Sequence, residues 1–251
     1  MSKSIVCALM IGRKGSVGFP GKNVYPVLGR PLATYPLLAA KNSRHVERIF
    51  VSTDSSEIMT IAKEQDAELI ERPPELATKQ ALGEDVFAHG YQKIKSMLVE
   101  EGLGIELIVL LFANAATLTG DLIDEGIGIL RANKSFDSAV TTSIYNMWSP
   151  LRARKLAKDG CLRPMVPFET FGDPQNLNCD RDSQGDVHFA DMGISVVRPE
   201  CLENMVEGLL PQKWMGHRIA PIPNWGGCDV DYEWQVPMVE FWLRKHGFHD
   251  A

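Results

Sequence analysis

The sequence predicts an α/β protein built on a doubly wound, mostly parallel sheet. Short apolar runs, rich in Val, Ile and Leu at successive positions and so on both faces, alternate with helix-length amphipathic segments. The strand–helix–strand order recurs several times without an internal sequence repeat. A length of 251 residues, 45% apolar and 23% charged, suits one large domain over 1–251 better than two independent ones.

The elements follow in order. An apolar run at 4–11 is the first strand, too short for a membrane span and followed at once by Arg13 and Lys14. A helical pattern at 32–42 leads to a strand at 48–52, a helix at 57–65 and a short strand at 68–70. The segment 84–99 places Val86, Phe87, Tyr91, Ile94 and Leu98 at three- and four-residue intervals, which gives a helix one apolar face. A strand at 107–112, a helix at 121–132 and a strand at 138–143 continue the alternation. The rhythm then breaks. Residues 144–190 hold Trp148-Ser149-Pro150, a basic cluster and a polar stretch from Gly172 to Asn178, and read as an arm or lid inserted into the sheet pattern. Strand character resumes at 193–197. A last helix covers 236–246, where Pro237 fits only in the first turn.

Composition removes several classes of function. The net charge of −6 leaves no electrostatic footprint for nucleic acid. No stretch approaches the ~20 apolar residues of a membrane helix. Five widely spaced cysteines without a C-x-x-C pair argue against a disulfide framework or a zinc ribbon and fit free thiols in the cytoplasm. The six histidines have no ligand spacing, and no nucleophile triad is visible.

The segment 12–23, Gly-Arg-Lys-Gly-Ser-Val-Gly-Phe-Pro-Gly-Lys-Asn, carries the strongest chemical signal. It follows the first strand and so lies over the carboxyl edge of the sheet, where ligands of open α/β folds bind. Backbone N–H groups together with Arg13, Lys14 and Lys22 suit a polyphosphate. Neither common phosphate loop is present. A Walker A loop fails because Ser16 stands at its first glycine and Asn23 at its Ser/Thr, and glycines spaced by three fail the G-x-G dinucleotide pattern. Val51-Ser52-Thr53-Asp54 and Glu71-Arg72-Pro73-Pro74-Glu75-Leu76-Ala77 close the second and third strands at the same edge. Near the C-terminus, Asp229 and Asp231 stand two apart. In extended backbone such residues share a face and can hold one hard cation such as Mg²⁺; the alternative is a solvated turn or a helix cap.

Together these four blocks, spread over residues 5–231, resemble the cytidylyltransferases that make CMP-activated acidic sugars, CMP–sialic acid synthetases in particular. That family's pattern is A-R-x-x-S-K-x-x-x-x-K-N, then V-S-T-D, R-P-x-E-L-A and a late D-x-D. The resemblance implies a Rossmann-like nucleotidyltransferase fold that transfers CMP from CTP to an acidic sugar and releases pyrophosphate. By residue it implies that Arg13, Ser16, Lys22 and Asn23 hold the CTP triphosphate and that Arg72 helps read cytosine. It gives Asp229 and Asp231 the Mg²⁺, and Arg152, in Pro150-Leu151-Arg152, the sugar acid. It also makes 144–190 a dimerisation arm that reaches over the partner's site in a homodimer. Arg13, Lys22, Asp229 and Asp231 are then the catalytic set, with charge neutralisation and positioning as the means of catalysis.

The chain departs from the family in its acceptor half. Where L-Q-P-T-S-P-L-R is usual it has Leu111-Phe112-Ala113-Asn114-Ala115-Ala116-Thr117-Leu118, and it has Val17 after Ser16 and Ala190-Asp191-Met192-Gly193 in place of N-G-A. Two other readings share part of the pattern. A sugar-1-phosphate nucleotidyltransferase would open its first loop G-x-G-T-R-L, which is absent here. A non-catalytic paralogue that binds nucleotide or a protein partner has the altered 112–118 segment in its favour and the retained cations and carboxylates against it.

Overall fold

The computed structural model describes residues 3–250. In chain order the strands are β1 (Ser4–Gly12), β2 (Pro26–Val27), β3 (Arg30–Pro31), β4 (Val46–Thr53), β5 (Glu68–Glu71), β6 (Gly104–Phe112), β7 (Ser138–Ile144), β8 (Arg154–Leu156), β9 (Leu162–Pro164), β10 (His188–Val197) and β11 (Ile219–Pro223). The helices are α1 (Thr34–Asn42), α2 (Ser56–Glu64), α3 (Gly83–Glu100), α4 (Gly120–Ala132), α5 (Pro199–Glu203) and α6 (Val236–Lys245).

Seven strands form the main sheet in the order β11-β7-β10-β6-β1-β4-β5. β1 runs parallel to β4 and β6, β4 to β5 and β7 to β11, whereas β10 lies antiparallel between β6 and β7. The expected doubly wound, mostly parallel sheet is therefore present. β11 is an addition that the sequence did not suggest. Pro221 and Pro223 within it cannot donate to a ladder, a defect that an edge strand tolerates.

The alternation of β1 explains the layers. Val6, Ala8 and Met10 face a cluster with Leu37 of α1, Ile58 of α2 and Ile123 and Ile127 of α4. Ile5, Cys7, Leu9 and Ile11 face the other side, against Phe87, Tyr91, Ile94 and Leu98 of α3 and Leu202 of α5. The apolar face read from the spacing in α3 is thus the face it buries. A third cluster packs Trp242 and Leu243 of α6 onto Val27, Leu32, Phe19 and Val230.

The winding places the ligand edge. From β1 the chain passes outward to β4 and β5, then returns to the other side of β1 as β6. The carboxyl ends of β1 and β6 therefore flank the point where the strand order reverses, which leaves a crevice between their loops. Between β7 and β10 the chain leaves the sheet; β8 and β9 make a separate two-stranded hairpin, with short 3-10 turns on either side. Among the described residues no helix is long and apolar enough to cross a membrane, and all five cysteines are free.

Candidate active site

The loop that leaves β1 crosses the carboxyl edge and ends in a 3-10 turn, Lys22–Val24, entered through Gly21 at φ 78°, a left-handed conformation that glycine adopts without strain. Gly18 lets the loop touch a distant segment, since a Cβ there would stand 2.9 Å from the Asp231 carbonyl oxygen. The Lys14 amide donates to Asp54 Oδ1 at 2.8 Å, which ties the loop to the end of β4. Asn23 is buried; its Nδ2 donates to the Arg13 carbonyl at 3.2 Å, while its Oδ1 has no hydrogen-bond partner.

Arg13, Ser16, Lys22, Asn23, Arg72 and Asp231, six of the residues singled out in the sequence, line one cavity of about 360 Å³ at the crevice between β1 and β6. Arg72 is buried there and donates through Nη2 to the Ser52 carbonyl and through Nε to the Ser52 hydroxyl at 3.3 Å. Burial holds its guanidinium below the ordinary arginine value; Asp54 opposes this shift and Arg13 adds to it. Phe112, at the position of the family's glutamine, forms part of the wall and packs edge-on against Phe87 at 5.2 Å between ring centres. Leu118, at the position of the family's arginine, faces away and is 1% exposed in the core.

The carboxylate pair is fixed from two directions. Lys22 Nζ meets Asp231 Oδ1 at 2.5 Å across 209 positions of sequence. Asn114, in the turn after β6, donates to Asp229 Oδ2 at 3.2 Å. Between the two carboxylates, Val230 is fully buried. The helix-cap alternative for Asp231 fails, because the Gln235 side chain receives the backbone N–H groups of Asp231 and Tyr232 at 2.7 and 2.8 Å and leaves the Asp231 carboxylate to Lys22. Burial, and then the charge of Asp231, push the Asp229 carboxyl above its ordinary value, with Lys22 and Asn114 opposing. Among the described residues no group of three or more His, Cys, Asp or Glu side chains forms a denser metal nest.

Asp229 opens onto a second cavity, of about 190 Å³, walled by Tyr145, Trp148, Phe189, Asp191 and Cys228. The buried Asp191 carboxylate takes hydrogen bonds from Thr141, Ser143, Asn224 and the Gly193 amide. Burial first, then the neighbouring Asp229 and Asp191, push the Cys228 thiol up to about 12, so it is neutral near pH 7. No cation lines this cavity.

Arg152 is the one site residue that the chain does not bring to these cavities. It sits in the arm beside Arg154, on a further cavity of about 650 Å³, and its Nη2 donates to the Cys179 carbonyl at 2.8 Å. Asn114 and Tyr145 were not anticipated. A polar residue just after a buried strand was the signal for Asn114; for Tyr145, at the start of the arm, no local signal exists.

The chain resembles known proteins in sequence and in fold. Residues 7–94 match the family model described as cytidylyltransferase. A pseudaminic acid cytidylyltransferase joined to a UDP-sugar hydrolase, from Helicobacter pylori, is 27% identical over 150 residues, 59% of this chain and 28% of that protein. An N-acylneuraminate cytidylyltransferase of Escherichia coli is 34% identical over 84 residues, 34% of this chain and 20% of its own. The chain thus spans less than a third of the length of either relative. Among solved structures, a CMP:2-keto-3-deoxy-manno-octonic acid synthetase complexed with CTP superposes with a TM-score of 0.67 at 13% identity, over 97% of this chain and 100% of that one. A 4-diphosphocytidyl-2C-methyl-D-erythritol synthase gives 0.61 at 12% identity, over 96% and 99%. The fold is the Rossmann-like one of these nucleotidyltransferases, and the matches support the CMP-sugar-acid cytidylyltransferase family that the motifs resemble.

Proposed function

We propose that this chain, a relative of the cytidylyltransferases in sequence and fold, transfers CMP from CTP to an acidic sugar and releases pyrophosphate. One observation carries the reading: the Asp229–Asp231 segment is the wall between two cavities of opposite character. Asp231 lines the basic one with Arg13 and Lys22, and Asp229 lines the aromatic one. A triphosphate suits the first. A sugar, which offers C–H faces to Trp148 and Phe189, suits the second. The α-phosphate then falls at the carboxylate pair between them.

Two aspartates are a donor set that Mg²⁺ accepts, since it takes one or two carboxylates and completes its shell with waters and phosphate oxygens. Asp229 and Asp231 would hold it, and it would supply charge neutralisation and Lewis-acid activation at the reacting oxygens. The chain's own part is positioning. The Arg13 and Lys22 side chains neutralise charge on the phosphates, Asn23 and Ser16 line the cavity between them, and Arg72 meets the base over Leu76 and Phe112. The acceptor's carboxylate finds no cation in the second cavity of its own chain. This supports a homodimer in which the arm of a second copy brings Arg152 to it. Five free thiols and the absence of a membrane-length helix among the described residues are in keeping with a cytoplasmic enzyme.

The test is pyrophosphate release from each of the four nucleoside triphosphates with Mg²⁺ and a panel of 2-keto-3-deoxy sugar acids and sugar 1-phosphates. Turnover with CTP and a keto-acid sugar supports the reading. Turnover with sugar 1-phosphates alone, or nucleotide binding without turnover on any acceptor, ends it.

A further inference from the structure

We infer that Asn114 is a positioning residue that aims the Asp229 carboxylate at the shared cation site; this rests on the cytidylyltransferase reading above. Its amide faces two acceptors, Asp229 Oδ2 at 3.2 Å and the Val230 carbonyl at 3.1 Å, so the NH₂ group must point at both. Both of its protons are used. The Asn114 backbone carbonyl receives the Val230 amide at 2.9 Å, and Ala115 bridges to Asp229 in antiparallel fashion. Three residues on, Thr117 Oγ1 receives the Cys228 amide at 3.0 Å. The turn after β6 thus clasps 228–230 by its backbone and the Thr117 hydroxyl, and the Asn114 side chain reaches past the clasp to a carboxylate.

The two aspartates are held by different chemistry, and the difference assigns the role. Lys22 pairs with Asp231 as a full opposite charge, so that carboxylate is compensated until a triphosphate competes for the lysine. Asn114 fixes the rotation of Asp229 without adding charge, so the negative charge that a cation needs is kept. Neutral donors that orient ligating carboxylates act in this way in metal sites generally, and their loss lowers metal affinity by ~10–100-fold.

The experiment uses the full chain and Mn²⁺ as the probe. Mn²⁺ is titrated by electron paramagnetic resonance against protein saturated with a non-hydrolysable CTP analogue, and its affinity is compared with that of the free analogue. Asn114→Ala should lower Mn²⁺ affinity in the complex by ~10–100-fold. It should leave the affinity for the analogue without metal unchanged, and high Mg²⁺ should restore kcat. Asn114→Leu, close in shape and without a donor, should behave alike and serves if the alanine variant does not fold. Unchanged Mn²⁺ affinity in a folded variant overturns the inference. So does a parallel loss of metal-free nucleotide affinity and melting temperature, which marks a structural residue only. If wild type and Asp229→Asn both bind Mn²⁺ no better than the free analogue does, the cation assignment itself has failed, and the role of Asn114 falls with it.

Discussion

Arg72 illustrates how one side chain can serve fold and chemistry together. Its guanidinium lines the basic cavity, yet both nitrogens with named partners bond to Ser52, at the end of the neighbouring strand. A purely structural arginine would tie β5 to β4 and do no more. If it also reads the base, Arg72→Ala loses a charged hydrogen bond worth ~1.5–3 kcal/mol, and KM for CTP rises by ~10–100-fold. Discrimination against UTP should weaken in the same variant. A lower melting temperature with the CTP-to-UTP preference intact would reduce Arg72 to its structural role. Arg13, Ser16 and Arg72 were legible because each lies within a few positions of a strand end, where the sheet edge must be; Lys22, Asn23 and Asp231 stand farther from the strands read in the sequence and were legible only through their motifs. Asn114 also lies beside a strand end, but an asparagine in a turn carries no label of its own.

Helix α4 is held to the sheet by a carboxylate rather than by its apolar face alone. Asp124 is buried and accepts from the Ser43 hydroxyl at 2.6 Å, the Arg44 amide at 3.1 Å and Arg44 Nε at 2.7 Å, which locks the turn between α1 and β4 to α4. Burial pushes the Asp124 carboxyl up, but the bonds from Arg44 and Ser43 outweigh it and hold the group below its ordinary value. The folded state therefore binds fewer protons at this site than the unfolded chain. The stabilisation is complete above the ordinary aspartate value and is lost as pH falls through it toward the lowered one. Asp124→Ala should cost ~1–3 kcal/mol near pH 7, because the hydrogen bonds from Ser43 and Arg44 to a charged, buried acceptor are lost. Urea unfolding of both proteins across pH should show that gap narrow below about pH 4. A gap that is constant with pH would mean that the ionised carboxylate is not its source.

At the scale of the whole molecule the unresolved demand is the arm. β8 and β9 pair only with each other, and an isolated two-stranded hairpin is marginal in water. Leu156 and Leu162 face each other across it at 73% and 66% exposure, and Trp148, at the start of the arm, is 60% exposed. Phe168, Phe171 and Leu177 are half-buried within the arm. Exposed apolar side chains such as these are what the proposed homodimer would cover. Sedimentation at micromolar concentration should therefore give a species of twice 27.9 kDa, and Leu156→Asp with Leu162→Asp should halve it without unfolding the sheet. A wild-type protein that sediments only as a 27.9 kDa species rules the dimer out.

The sequence by itself determined the layered sheet, the helices and the basic loop after β1, because local periodicity records which face of an element is buried and glycine and proline record where the chain turns. Its element boundaries from 4 to 132 fall within three residues of those observed. Tertiary structure alone decided the rest. β11 is a strand only because β7 offers it an edge, since its own prolines read as a loop. Asp231 meets Lys22 rather than capping a helix because the loop at Gly18 and the segment after Val230 close on each other over 209 positions. Leu118 is core and Phe112 is wall because one more turn of chain after β6 rotates successive side chains from the crevice into the sheet. Pairings of that range follow from how the whole chain closes, and no local pattern of residues contains them.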